Sequence, residues 1–403
     1  MSNSSFPRVP LAVPYWNSET YRTIFRSLIS GRVVDGPQIP ALRAKLVETL
    51  GIADALLCGS GSLALELGLR ACEVRDGDEV VIPTFCCTAI VPPIVAVGAL
   101  PVLADVGAEL NLTAETSIRV LTRKTKAIVV PHLFGNPAEI GAIVALAREK
   151  NIRVIDDAAQ ALGATIEDSF VGTFGDVGIL SFGAEKVCFG LGGGAVVTQR
   201  LGFLNHHAGV HLTLPQLMPT LRQCLVTLFW RRWRRWTLPI YELIFRAYGR
   251  DPDAPPRSYR QERLANLNAA VALSLVDSLQ RNIAARRARV RAYGELLGDQ
   301  EGLELIQHRP GSACLTQVVR VAKTRSTEDR ASTVIKALRD AGYEIQGSYV
   351  PMHRLAYCSM CVWDNLSYAD KVWPDLIELP CEPDVSLKQV EQIATIVKAV
   401  INS

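Results

Sequence analysis

The 403-residue chain lacks a charge excess of either sign: 43 lysines and arginines face 40 aspartates and glutamates, a formal charge of +3. That balance speaks against a bulk nucleic-acid binder, which carries a marked basic excess. No export signal is expected either, because Met1-Ser2-Asn3-Ser4-Ser5-Phe6-Pro7 has neither a basic start nor an apolar core of the required length. A cytoplasmic location is therefore expected. No paired cysteine framework is visible either. The ten cysteines are scattered from Cys58 to Cys381, several inside apolar runs where a reduced thiol acts as a small hydrophobe, so disulfides are not expected. Cys358-Ser359-Met360-Cys361 has the spacing of half a zinc site, but no second Cys or His pair stands at a matching distance, and no metal is expected.

What the chain does have is apolar content, 49% of residues, enough for a large core divided between two domains. From about residue 50 to 200 helical and strand-like patterns alternate, which favours an α/β layered domain. Glu79-Val80-Val81-Ile82-Pro83, Leu100-Pro101-Val102-Leu103, Ala127-Ile128-Val129-Val130-Pro131 and Arg153-Val154-Ile155-Asp156-Asp157 are apolar, rich in β-branched residues and bounded by turn formers. They read as buried parallel strands. Ser62 to Arg70 reads as a helix opening after the turn Gly59-Ser60-Gly61, and Pro137 to Lys150 as a crossover helix. Ligands sit beyond the carboxyl ends of such strands, where His132, Asp157, Gln160 and Ser181 fall.

The most telling stretch is Ser181-Phe182-Gly183-Ala184-Glu185-Lys186, followed by Gly190-Leu191-Gly192-Gly193-Gly194 and the apolar run Ala195-Val196-Val197. A lysine among small residues, ahead of a glycine-rich turn into a strand, can present its amine to a planar aldehyde cofactor and form a Schiff base. Each feature also has a plain structural reading: Gly59 to Ser62 as a turn and helix cap, Asp157 as a cap after its strand, Ser181 and Lys186 as parts of a solvated loop. Together they match the needs of pyridoxal 5′-phosphate: an amine, an acid beside the ring nitrogen, a donor for the phenolic oxygen and a phosphate cradle. Lys186, Asp157, Gln160 and the pair Ser62 with Ser181 supply these in that order.

With those residues in view, the chain resembles the DegT/DnrJ family of sugar-nucleotide aminotransferases, which share the fold type I architecture of aspartate aminotransferase. The resemblance runs over nearly the whole chain. Gly36-Pro37 is similar to the family's early turn, Ser60-Gly61-Ser62-Leu63-Ala64-Leu65 to its phosphate-binding turn and helix, and Ile155-Asp156-Asp157-Ala158-Ala159-Gln160-Ala161 to its acidic cofactor motif. His132-Leu133-Phe134-Gly135, Gly172-Thr173-Phe174-Gly175-Asp176, Tyr349-Val350-Pro351-Met352-His353 and Leu379-Pro380 follow in the family's order.

The resemblance implies a three-layer large domain with a mostly parallel sheet over residues 31–258, preceded by an N-terminal arm over 1–30, and a smaller C-terminal α+β domain over 259–403. It implies that Lys186 carries the cofactor and moves a proton, that Asp157 binds the ring nitrogen, and that Gln160 bonds the phenolic oxygen. Gly61, Ser62 and Ser181 would hold the phosphate. Cys87 stands where many relatives place an aromatic ring against the cofactor. Gln261 stands in place of the asparagine that reaches a neighbouring subunit's phosphate in a homodimer. The implied reaction moves an amino group, from glutamate, to the keto group of a nucleotide-activated deoxysugar in surface-polysaccharide or secondary-metabolite glycan synthesis. Relatives that dehydrate have histidine at the lysine position. A regulator without turnover would have no use for the intact set Asp157, Gln160, Ser181 and Lys186.

One insertion, about 212–256, stands apart. Between Leu221 and Arg250 it is basic and aromatic, with Leu225, Phe229, Trp233, Trp236 and Ile240 at helical spacing and Arg231, Arg232, Arg234 and Arg235 beside them. Arginine interrupts it too often for a bilayer span. Two readings stand: an interfacial helix on anionic lipid, suiting a lipid-linked acceptor at the inner membrane face, or a stripe that packs on the partner subunit or covers the active site. The stretch from Asn266 to Leu297 reads as a long helix.

Overall fold

The apolar β-branched runs become the centre of a sheet. In the computed structural model, which describes residues 13–204, 210–232, 258–322 and 330–403, the strands in chain order are β1 (Asp54–Cys58), β2 (Glu79–Pro83), β3 (Leu100–Ala104), β4 (Thr125–Pro131), β5 (Arg153–Asp157), the hairpin β6 (Thr165–Ile166) with β7 (Ser169–Phe170), β8 (Val177–Ser181) and β9 (Gly194–Thr198). Seven of them form one sheet in the order β1-β9-β8-β5-β4-β2-β3. All neighbours pair parallel except β9, which runs antiparallel to β1 and β8. The chain returns from β8 to β9 directly through the glycine-rich turn, without a crossover helix, and so arrives reversed.

Strand alternation divides the core between two faces. Val177 and Ile179 of β8 join Val196 of β9 under the helix Gly61–Ala71, whereas Leu180, Ala195 and Val197 face the helices Gln38–Leu50 and Asn266–Asp277. Over β2 to β5, the helix Ile140–Glu149 buries Ile140, Ile143 and Ala147 against Val81, Ile128 and Val130. A second sheet follows, β10 (Leu303–Leu305), β11 (Thr316–Val321), β12 (Gln346–Gly347) and β13 (Leu376–Pro380), antiparallel throughout in the order β10-β11-β13-β12. The helices Leu279–Leu297, Arg330–Asp340 and Leu387–Ile401 supply its core. A three-layer, mostly parallel large unit with a smaller α+β unit is the architecture expected from the sequence.

Two details differ from expectation. The stretch from Asn266 to Leu297 breaks at Ser278 (φ −100°, ψ 7°) into two helices. The first lies beyond the expected 258/259 boundary yet packs in the large unit's core, with Leu267, Val271 and Leu275 beside Leu42 and Leu46. Its sequence is apolar nearly all round, so it needs neighbours on every side. One neighbour is the helix Ser18–Ile29 of the arm, bound through the hydroxyls of Thr20 and Ser274 at 3.0 Å. Of the basic aromatic insertion, the described part is the helix Leu217–Val226 and the π-turn Thr227–Arg232. Trp233, Trp236, Ile240 and the arginines Arg234 and Arg235 lie outside the described residues. Among the described residues no helix is long and apolar enough to cross a membrane.

Candidate active site

The carboxyl ends of β4, β5 and β8, the start of the helix Gly61–Ala71 and Tyr349 enclose a cavity of about 380 Å³. β5 ends in two aspartates, and alternation sends their side chains opposite ways. Asp156 is fully buried. Its Oδ1 accepts from His132 Nε2 at 2.6 Å and its Oδ2 from the Phe174 amide at 2.9 Å. His132 Nδ1 accepts from the Ala138 amide at 2.8 Å, which fixes the ring as the Nε2–H tautomer. Asp157 faces the cavity and accepts from the Ala159 amide at 2.9 Å. Burial pushes its carboxyl above the usual range, opposed by that amide and by the charge of Lys186. A cation in the cavity would hold it ionised.

Lys186 stands in the loop between β8 and β9, and the loop is closed at its neck. The Phe182 amide donates to the Gly193 carbonyl at 2.9 Å, and the amides of Gly190 and Gly192 both donate to the Phe182 carbonyl at 3.1 Å. Gly193 sits at φ +114°, a conformation that L side chains rarely adopt. From outside, Asn282 Nδ2 donates to the Val187 carbonyl at 2.9 Å and Trp16 Nε1 to the Phe189 carbonyl at 2.8 Å. The lysine is thus carried on a fixed support.

At the opposite wall, Ser60 caps the helix Gly61–Ala71 by accepting from the Leu63 amide at 3.1 Å, and its carbonyl accepts from the Ala64 amide. The amides of Gly61 and Ser62 have no acceptor among the described residues and line the cavity at the positive end of the helix, a natural anion site. Ser181, at the end of β8, faces them. A Cβ on Gly61 would stand 2.9 Å from Ser181 Oγ, so only glycine admits this approach. The Ser62 hydroxyl donates to the Ala89 carbonyl at 3.3 Å, leaving its amide as the part that faces the cavity. Gln160 is held by its Oε1, which accepts from the Phe134 amide at 3.0 Å, while its Nε2 donates to Tyr349 Oη at 3.1 Å and keeps one N–H free. Cys87 lines the same wall.

Of the residues expected at the site, Lys186, Asp157, Gln160, Ser181, Gly61, Ser62 and Cys87 meet in this cavity. Gln261 does not line it. Its Nε2 donates to the buried Glu66 at 3.4 Å, beside Tyr259, whose hydroxyl donates to the same carboxylate at 2.8 Å. Tyr349 is a site residue that sequence reasoning noticed without giving it a role: its ring stacks on Phe134 at 5.9 Å, meets Phe85 edge-on at 6.0 Å and reaches Gln160. Its place ahead of Pro351 was visible, but its target 189 residues away was not. A wider cavity of about 640 Å³, lined by Ile39, Leu56, Val210 and Leu264 among others, contains none of this set.

The donor set fits pyridoxal 5′-phosphate: an acid, a lysine, a free amide N–H and a glycine cradle too tight for any Cβ at Gly61. A mostly parallel seven-stranded sheet with this constellation at its carboxyl edge defines a fold type I pyridoxal-phosphate transferase. The sequence profile of the DegT/DnrJ/EryC1/StrS aminotransferase family matches residues 15–206 and 241–398, and the chain belongs to that family. The profile breaks off across 207–240, where the arginine and tryptophan run begins. Over 200 residues the chain is 40% identical to a UDP-N-acetyl-3-dehydro-α-D-glucosamine 3-aminotransferase of Acidithiobacillus ferrooxidans, covering 49% of this chain and 54% of that one. It is 25% identical to the GDP-perosamine synthase of Caulobacter vibrioides over 398 residues, 97% of each. The match thus spans about half the length of the first relative and nearly all of the second. The fold is that of Helicobacter pylori PseC, an aminotransferase involved in pseudoaminic acid biosynthesis, with TM-score 0.77 at 19% identity over 98% of this chain and 99% of that one.

Proposed function

We propose that the chain is a pyridoxal-phosphate aminotransferase that passes an amino group, from glutamate, to the keto group of a nucleotide-activated deoxysugar. The observation that carries this reading is Lys186 and Asp157 lining one cavity whose far wall offers the free amides of Gly61 and Ser62 beside Ser181. When bound, pyridoxal phosphate supplies an aldehyde that takes and returns the amino group and a ring that accommodates carbanion charge. Asp157 would hold the ring nitrogen protonated, and the remaining N–H of Gln160 would donate to the phenolic oxygen. The Gly61 and Ser62 amides and the Ser181 hydroxyl would bind the phosphate. Lys186 Nζ would take the proton from the donor's α-carbon, on a loop that Asn282 and Trp16 keep from drifting.

The assembly that goes with this reading is a homodimer in the cytoplasm. A second reading concerns the insertion. Leu217, Met218, Leu225 and Phe229 are exposed on the described part, and they lead into the arginine and tryptophan run. Such a face supports docking on anionic lipid at the inner membrane surface, with a lipid-linked acceptor; sedimentation with anionic vesicles, compared with neutral ones, tests it. For the main reading, the test is the absorbance of purified protein with pyridoxal phosphate, before and after glutamate, beside Lys186→Ala. A visible band that shifts to the pyridoxamine form with glutamate and is missing in the variant is expected. A band that persists without Lys186 and ignores every amino donor would overturn the proposal.

A further inference from the structure

Cys358-Ser359-Met360-Cys361 takes no part in the site described above. Nor do its cysteines join a metal centre, since no three His, Cys, Asp or Glu side chains come together to hold an ion among the described residues. What the fold does with the pair is set by the backbone. The segment winds as a 3₁₀ turn over Ala356–Cys358, with the Cys358 amide donating to the Leu355 carbonyl at 2.9 Å and the Ser359 amide to the Ala356 carbonyl at 3.2 Å. A further turn of the same span follows, the Cys361 amide donating to the Cys358 carbonyl at 2.9 Å. Where three residues make a turn, side chains three apart stand over one another. The two thiols accordingly meet, and Cys361 donates to Cys358.

That hydrogen bond holds the Cys358 thiol below its usual value, so a nucleophilic sulfur and a thiol lie side by side. Burial pushes the core thiols of Cys58 and Cys188 the other way, to about 12. The turn is stitched at both ends. The Met352 amide donates to the Thr84 carbonyl at 2.7 Å, and Val362 exchanges backbone bonds of 2.9 and 2.8 Å with Pro101 and Leu103. The sulfurs therefore stay in contact and need only close to the covalent distance of about 2.05 Å. Cys358 is fully buried and Cys361 is 4% exposed, beside the exposed Met360, Val362 and Trp363. Sulfurs so placed admit a reagent of about the size of water and exclude a bulky disulfide.

We infer that Cys358 and Cys361 form a redox-active dithiol, oxidised by a hydroperoxide to an intrachain disulfide and restored by a thiol reductant. With hydrogen peroxide, the Cys358 thiolate attacks one oxygen: an S–O bond forms, the O–O bond breaks, and the departing hydroxide takes up the proton that Cys358 released and leaves as water. The Cys361 sulfur then displaces the sulfenic hydroxyl, which takes the Cys361 proton and leaves as a second water while the S–S bond forms. Two thiols are oxidised and one peroxide is reduced. This chemistry is independent of the aminotransferase reading, although the turn borders that site: Thr84, whose hydroxyl meets His353 Nδ1 at 2.9 Å, leads directly to Cys86 and Cys87 in the cavity wall.

The experiment uses holoenzyme freed of reductant, treated with hydrogen peroxide, then unfolded, alkylated and mapped by mass spectrometry. Alkylatable thiols should fall from ten to eight, with Cys358 and Cys361 joined, and dithiothreitol should restore all ten. The pair should react about 10-fold or more faster than Cys58 or Cys188, since each unit of pKa is a tenfold change in thiolate. In Cys361→Ser the reaction should stop at a Cys358 sulfenic acid that dimedone traps. Peroxide that consumes Cys87 or a core thiol first, or that leaves Cys358 and Cys361 reduced, overturns the proposal. Should Cys361→Ser not fold, phenylarsine oxide on wild-type holoenzyme decides, because it bridges two neighbouring thiols with loss of water. One arsenic joined to both cysteines is expected, and both thiols still open to alkylation under excess arsenical overturn the pair.

Discussion

Replacing Gly61 by alanine strains the phosphate cradle where it is tightest. The added Cβ would stand 2.9 Å from Ser181 Oγ and 3.0 Å from Ser181 Cβ, against about 3.5–4.0 Å for an unstrained contact. The helix start has little freedom to retreat, because Ser60 holds the amides of Leu63 and Ala64 and pairs in a parallel bridge with Gly193. Ser181 therefore gives way. Its hydroxyl loses the Gly183 amide, which donates to it at 3.3 Å, and its place beside the phosphate. A hydrogen bond to a charged group contributes about 1.5–3 kcal/mol, so Gly61→Ala should weaken pyridoxal-phosphate affinity about 10- to 150-fold. Ser181→Ala removes the same hydroxyl and should fall in the same range. The double variant strikes one interaction twice, so its loss should be well short of the two single losses combined. Absorbance titration of apoenzyme with cofactor measures all three. Wild-type affinity in Gly61→Ala, or losses that simply add, would refute the contact.

Glu378 gives a pH test independent of any ligand. Its carboxyl lies at about 7 in the fold against 4.5 when free, so the folded protein keeps a proton that the unfolded chain has released. Its stabilising contribution is complete below about pH 4.5 and fades as pH rises to about 7, by about 3 kcal/mol at most. Glu378→Gln can keep the Ser348 bond and does not titrate. Denaturant midpoints of the two proteins should coincide near pH 4.5 and separate in favour of the glutamine by pH 8, whereas parallel profiles would contradict the burial of the acid. Asp157→Asn retains an oxygen for the Ala159 amide but removes the charge; the visible cofactor band should persist while single-turnover conversion with glutamate slows about 10²- to 10⁴-fold. An unchanged rate would mean that Asp157 does not face the ring nitrogen.

The elements were legible where local chemistry decides them. The runs that became β2, β4 and β5 are β-branched and bounded by turn formers, and the helix Gly61–Ala71 begins after the serine that caps it. Asp157, Gln160, Ser181 and Lys186 were legible as a set because one cofactor explains their order along the chain. What the sequence withheld is tertiary. No local pattern announces that His132 donates to Asp156 rather than to the cavity, or that Gln261 turns to Glu66. The break at Ser278 was hidden because both flanking stretches are good helix formers; the second helix starts in the same core as the first, with Leu279 and Ile283, and reaches the other only further along, with Tyr293 and Leu297.

The lysine loop shows why those distant contacts matter to chemistry. Transfer requires that one amine serve as an attachment point and then as a base, so its position must hold to a fraction of an ångström while ligands change. Lys186 lies on a loop whose residues Gly183, Gly190, Gly192 and Gly193 give it no rigidity of their own. Rigidity comes instead from Trp16 in the arm, Asn282 on the helix Leu279–Leu297 and the Phe182 neck, three parts of the chain remote from one another in sequence. Arg286 stands one turn beyond Asn282 and is bonded to it. The helix that steadies the base therefore also carries a buried guanidinium beside the site, so a displacement of that helix would move the lysine loop and that charge together. On this argument Asn282→Ala should slow the glutamate half-reaction more than its loss of stability explains. It should leave pyridoxal-phosphate binding at the Gly61 and Ser181 cradle close to wild type.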